Sequence, residues 1–178
     1  MFVSTGANRV IHCPWCRGWE VRDQRIVVID TGGVGVPQAM LFAQLSDRVS
    51  LVRNDLPEVN NDELDRLRLT GVAIETRPAR AIYASGDGLE IILDGATVEA
   101  DVVAPRFEPN AAMLEGLVTI ADHVSGMGRR VVVDAFGRTS HPKIYAVGNV
   151  ADPMQQVLHT LQPTVLGWPP WSTADPED

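Results

Sequence analysis

Ile26-Val27-Val28-Ile29 passes through Asp30 straight into Thr31-Gly32-Gly33-Val34-Gly35, and this junction limits the possible folds more than any other stretch of the chain. Four consecutive β-branched residues leave no polar face, so they read as a strand buried on both sides, as in a parallel sheet covered by other layers. The glycines allow a tight turn. Pro37 then suits the first turn of a helix, and Ala39, Leu41, Phe42 and Leu45 follow at helical spacing up to a stop near Ser46-Asp47. Residues 48–53 read as a second short strand. Strand, glycine turn, helix, strand is the opening of an α/β, doubly wound, Rossmann-like nucleotide-binding domain.

The pattern then changes. Residues 62–69 carry Leu64, Leu67 and Leu69 among charges, a short surface helix closed by Gly71, and Val72-Ala73-Ile74-Glu75 suggests a third strand. Three apolar runs, 80–84, 89–93 and 97–103, are separated by Ser85-Gly86-Asp87-Gly88 and Asp94-Gly95, which are hairpin turn signals and predict an antiparallel β-meander. Residues 130–134 and 143–147 are two more strand candidates, around Phe136-Gly137-Arg138-Thr139. Beyond Thr160, Pro163, Trp168-Pro169-Pro170-Trp171 and Pro176 break any period, so 161–178 is expected to be a mobile tail.

Charge and composition narrow the class of partner. The 178 residues are 45% apolar with no run long enough to span a membrane, and no basic-then-apolar leader opens the chain, so a cytoplasmic protein is the expectation. Fifteen basic against twenty-three acidic residues give a net charge of −8, which repels nucleic acid and anionic lipid and excludes both as expected partners. Two cysteines are too few for a disulfide framework, but Cys13 and Cys16 stand in Cys-x-x-Cys spacing, which points to redox or metal chemistry. Half a zinc site is the competing reading. With no second cysteine pair and His12, His123, His141 and His159 scattered along the chain, no metal is expected.

His12-Cys13-Pro14-Trp15-Cys16, followed by Gly18-Trp19-Glu20-Val21-Arg22 and then the strand and glycine turn, resembles the pyridine-nucleotide domain of thioredoxin reductase-like flavoproteins. Gly137-Arg138-Thr139-Ser140 with residues 144–153 (Ile-Tyr-Ala-Val-Gly-Asn-Val-Ala-Asp-Pro) resembles the flavin-binding strand near the end of the same family. The resemblance covers roughly residues 1–158. It implies a flavin-domain remnant with the Cys-x-x-Cys helix start over 1–24, an NAD(P)-binding-like domain over 25–128 and a second flavin remnant over 129–160. Phe2-Val3-Ser4-Thr5-Gly6-Ala7 is similar to the strand that leads out of the N-terminal flavin half, and that half is expected to be missing.

The resemblance also assigns roles. Cys13 and Cys16 would be the catalytic pair, cycling between dithiol and disulfide at a helix start where free N–H groups favour a thiolate, with His12 and Arg17 as positive neighbours. The nucleotide site would comprise Asp30, Thr31, Gly32, Gly33, Gly35 and Arg53. In the family's register Asp30 replaces the first glycine, and its carboxylate would repel a pyrophosphate by roughly 4 kcal/mol at about 4 Å and an effective dielectric of about 20. NADPH is therefore expected to bind weakly, with Arg53 favouring it over NADH. Gly148 and Asn149 match the flavin's ribityl site, where the family has a carboxylate, so FAD, the family cofactor, is expected not to be retained.

These readings describe a degenerate thioredoxin reductase-like oxidoreductase that acts on a small-molecule or protein disulfide, with NADPH or a partner protein as electron source. A homodimer is expected to cover apolar surface left by the missing half. Two alternatives stay open: a non-redox isomerase or cyclase using the vacant cofactor cleft, and an inactive scaffold or gene remnant.

Overall fold

The structure, a computed structural model, describes residues 9–155 apart from 33, 55, 57–60 and 108. The expected strand at 2–7, Gly33 and the expected tail at 161–178 lie outside the described residues. Two compact units divide the chain, Met1–Phe107 and Glu108–Asp178. Residues 108–128, expected with the nucleotide domain, thus fall in the second unit.

In the first unit, a short helix α1 (Pro14–Arg17) and one 3-10 turn (Trp19–Val21) precede strand β1 (Ile26–Ile29), helix α2 (Gly35–Phe42) and strand β2 (Val49–Val52). Helix α3 (Asn61–Leu69) and strand β3 (Ala73–Glu75) follow, then the antiparallel strands β4 (Ala79–Ser85), β5 (Gly88–Leu93) and β6 (Ala96–Ala100), and finally β7 (Val102–Pro105). The parallel sheet has the order β3-β2-β1-β7, and the meander has the order β4-β5-β6. Residues 9–11 extend the sheet beyond β7, with the Ile11 N–H on the Val103 carbonyl at 3.1 Å.

The β-branched run behaves as its sequence requires: all four residues of β1 are buried, and they alternate between two cores. Ile26 and Val28 pack with Leu51, Val102 and the helical residues Val36, Ala39, Phe42 and Leu67. Val27 and Ile29 pack with Val52, Val103 and the meander residues Ile82, Leu89, Ile91 and Leu93. Helices therefore cover one face of the parallel sheet and the meander covers the other. Phe42 and Leu67 are both fully buried, and each such side chain stabilises the layer contact by roughly 2 kcal/mol.

One expected strand is in fact two. The run 97–103 is cut at Asp101, where β6 ends and β7 leaves the meander to pair in parallel with β1. Arg25 makes the corner. Its carbonyl accepts the N–H groups of Asp101 at 2.8 Å and Val102 at 3.1 Å, while its own N–H and guanidinium donate to the Asp101 carboxylate at 2.8 and 2.7 Å. The Arg25 hydrogen bond holds the Asp101 carboxyl below its ordinary value. No glycine or proline marks this corner, so apolar patterning carried straight across it.

The second unit contains strands β8 (Ile120–Asp122) and β9 (Arg129–Val131), paired as a hairpin, with Ala111, Val131, Ala146 and Ala151 at its core. Residues 143–147, expected as a strand, form only an isolated bridge between Arg138 and Tyr145. The Thr139 hydroxyl explains the compact turn: it donates to the Ile144 carbonyl at 2.7 Å and accepts the His141 N–H at 3.1 Å.

Candidate functional site

Cys13 and Cys16 form a disulfide across the start of α1, with their Cα atoms 5.3 Å apart. Pro14 at the first helical position lets the chain turn at once, and the Cys13 carbonyl accepts the N–H groups of Cys16 and Arg17 at 3.2 and 3.3 Å. Cys16 is exposed and Cys13 half-buried, beside Trp15, which is 71% exposed. Two contacts seat this loop, one on α2 and one on the segment that follows it. Gln38 donates to the His12 carbonyl at 2.7 Å, and Gly18 lies so close to Leu45 that a Cβ there would stand 2.4 Å from the Leu45 Cδ1.

His12 does not supply the positive charge expected of it. Its ring lies against Phe107, with centroids 4.5 Å apart, and desolvation lowers its pKa from the ordinary 6.5, so the imidazole is mostly neutral at pH 7. Arg17 remains beside the pair as an exposed cation.

The glycine turn follows β1 at the carboxyl end of the parallel sheet, the edge where open α/β sheets bind ligands. Asp30 is 1% exposed. One of its carboxylate oxygens accepts the Gly32 N–H at 3.1 Å, and the other accepts Arg53 Nη1 at 2.9 Å in an ion pair whose arginine is 11% exposed. Gly32 needs its glycine, at φ +143°. Gly35, the first residue of α2, needs its own for a different reason: a Cβ there would lie 2.4 Å from both Cβ and Cγ of Asp30. The helix thus closes down on the aspartate side chain.

This arrangement corrects two expectations. The Asp30 charge is not a bare repulsive centre, because Arg53 neutralises it at contact distance. Arg53 in turn is paired with Asp30, its side chain 11% exposed, rather than standing as a solvated surface cation. Sequence reasoning also missed Arg106, whose Nη1 would stand 2.8 Å from a Cβ on Gly32. Its only signal was its place just after β7, and that strand was hidden inside the meander. Asp30, Arg53 and Arg106, from the ends of three adjacent parallel strands, meet at the turn that Thr31 and Gly32 form. Gly33 lies outside the described residues.

In the second unit, Gly148 opens a 3-10 turn (Gly148–Val150) at φ +73°, and its N–H donates to the Gln155 side chain at 3.1 Å. Asn149 is exposed. At both expected cofactor motifs, then, a glycine backbone N–H is bound by a side chain of the chain itself: Gly32 by Asp30 and Gly148 by Gln155. Among the described residues, no group of three His, Cys, Asp or Glu side chains is placed to hold a metal, and no helix is long and apolar enough to cross a membrane.

A parallel sheet with a glycine turn at its carboxyl edge, an antiparallel meander on its far face and a Cys-x-x-Cys disulfide now stand together. The profile of the pyridine nucleotide-disulphide oxidoreductases matches residues 6–164. The chain belongs to this family. It is 30% identical over 162 residues to the nitric oxide reductase FlRd-NAD(+) reductase of Citrobacter koseri, covering 83% of this chain and 41% of that protein. It is 32% identical over 138 residues to the mercuric reductase of Streptomyces lividans, covering 71% of this chain and 29% of that one. Among solved structures, HlmI matches with 31% identity and a TM-score of 0.67, over 85% of this chain and 48% of that chain. The thioredoxin reductase of Streptococcus pyogenes shares the fold at 22% identity and a TM-score of 0.65, over 86% of this chain and 53% of its own. The chain therefore spans about two fifths of the length of the first curated relatives it matches.

Proposed function

We propose that this oxidoreductase-family chain performs thiol–disulfide exchange through Cys13 and Cys16. The observation that carries this reading is the disulfide itself, closed across the start of α1 with Cys16 open to solvent. A thiolate of an incoming dithiol attacks the Cys16 sulfur, forming a mixed disulfide and releasing Cys13 as a thiolate that takes up a proton. The second thiol of the substrate then attacks the mixed disulfide, gives up its proton and leaves as part of a substrate disulfide, and Cys16 is released as a thiol. Two electrons and two protons have moved from substrate to the Cys13–Cys16 pair, and the reverse sequence delivers them to a disulfide. The disulfide that receives them in the reverse direction is a small molecule or a protein.

Equilibration against a glutathione or dithiothreitol series tests the reading. One two-electron transition is expected, and Cys13→Ser and Cys16→Ser should each abolish it. A pair that neither oxidises nor reacts with a thiol reagent in the folded protein refutes disulfide exchange. An isomerase or cyclase activity that survives in both serine variants would instead identify the non-redox alternative.

A further inference from the structure

We propose that the nucleotide cleft of the first unit is closed by its own Asp30, whose carboxylate stands where a dinucleotide's pyrophosphate would, and that this residue excludes pyridine nucleotides from the turn. A pyrophosphate at such a turn needs backbone N–H donors, a nearby cation and a close approach between helix and strand. Asp30 takes up a donor, a cation and the close approach, while Arg106 stands beside Gly32 as a second cation. Asp30 holds the Gly32 N–H at 3.1 Å and Arg53 Nη1 at 2.9 Å, and it fills the space left by the missing side chain of Gly35. The third glycine of the motif, whose usual service is helix–strand packing, here makes room for a carboxylate.

Burial makes the closure firm. Asp30 is 1% exposed and paired with Arg53, so the pair is little weakened by water or salt and the Arg53 charge is already committed when a second anion approaches the turn. Arg53 offers no remedy, because moving it onto a phosphate leaves the buried carboxylate uncompensated. The inference is independent of the cysteine chemistry: it concerns which electron carrier can enter the cleft, and disulfide exchange with a dithiol needs no nucleotide.

Calorimetric titration with NADPH, on the oxidised protein and its Asp30→Gly and Asp30→Asn variants, tests it. The unmodified protein should show no binding up to about 1 mM NADPH, and Asp30→Gly should bind at least about tenfold more tightly, a gain of about 1.4 kcal/mol. Asp30→Asn keeps the side chain's shape without its charge, so a smaller gain is expected. A micromolar Kd for NADPH in the unmodified protein overturns the proposal whether or not the variants fold. So does a variant with unchanged circular dichroism and no gain in affinity. The cysteine redox titration is a separate measurement, so failure there leaves this result interpretable.

Discussion

Replacing Arg53 by Ala removes the cation that holds Asp30 while leaving the carboxylate in place. Asp30 and Arg53 are 1% and 11% exposed, so solvent screening gives little relief. Breaking such a buried pair from one side typically costs about 3–5 kcal/mol, a large part of the roughly 5–15 kcal/mol by which a domain is stable. Arg106, beside Gly32, softens the loss, so about 3 kcal/mol is the expected cost. Asp30→Gly should cost somewhat less, about 2–3 kcal/mol: it also loses the ion pair, the packing on Gly35 and one capped N–H, but the long arginine stem gives the remaining guanidinium access to water. The double variant removes both charges and should cost less than the sum of the single variants by about 2 kcal/mol or more. Urea denaturation followed by far-UV circular dichroism at pH 7, with the cysteines oxidised, supplies the four free energies. Repeating the cycle in 1 M NaCl should leave the coupling nearly unchanged, since salt screens exposed pairs and not buried ones. Additivity within about 0.5 kcal/mol would show that the pair does not hold the turn, and the reasoning would fail.

Gly35→Ala drives a Cβ to 2.4 Å from the Asp30 side chain and should cost about 1–3 kcal/mol, with most of that loss recovered in an Asp30→Gly background; equal losses in both backgrounds would contradict the packing. Acid should unfold the protein through its paired carboxylates. The Arg77 side-chain hydrogen bond lowers Glu75 to about 2, and Arg25 and Arg80 lower Asp101 and Asp94 through side-chain hydrogen bonds. Because these folded-state values lie below the unfolded ones of about 4, their stabilisation is complete above pH ~5 and is lost as pH falls toward 2. A urea midpoint that is flat from pH 7 to 5 and falls steeply below about 4 is the expected profile, and an unchanged midpoint at pH 3 would refute it.

What the sequence made legible was governed by local pattern. The buried run of β1, the turns at residues 86–87 and 94–95, and α3 with its stop at Gly71 follow from side-chain periodicity and from glycines at positive φ. The corner at Asp101 was illegible because its cause is Arg25, 76 residues away, which binds both the backbone and the carboxylate there. Residues 143–147 look like a strand one residue at a time, yet a strand needs a continuous ladder with a neighbour, and here pairing reduces to one bridge. At the glycine turn, the motif identified Asp30 as the departure that matters. It could not identify the partner of that charge, because Arg53 reaches it through the register of β1 and β2, which aligns Ile29 with Val52.

Helix α2 links the two sites. Its first residue, Gly35, packs on Asp30, and one turn later Gln38 holds the carbonyl of His12, next to Cys13. A ligand that pushed Asp30 aside would have to move the first turn of α2 and, with it, the loop that carries the disulfide. The Asp30–Arg53 pair and the Gln38 hydrogen bond thus both bear on the first turn of α2. Cys16 is exposed, as are Trp15 and Trp19 nearby in the chain, and Arg22 stacks over the Trp19 ring at 4.4 Å. Helix α2 therefore joins the aspartate proposed to exclude nucleotides to the loop proposed to carry disulfide exchange, so Asp30→Gly should be assayed for both nucleotide affinity and the Cys13–Cys16 potential.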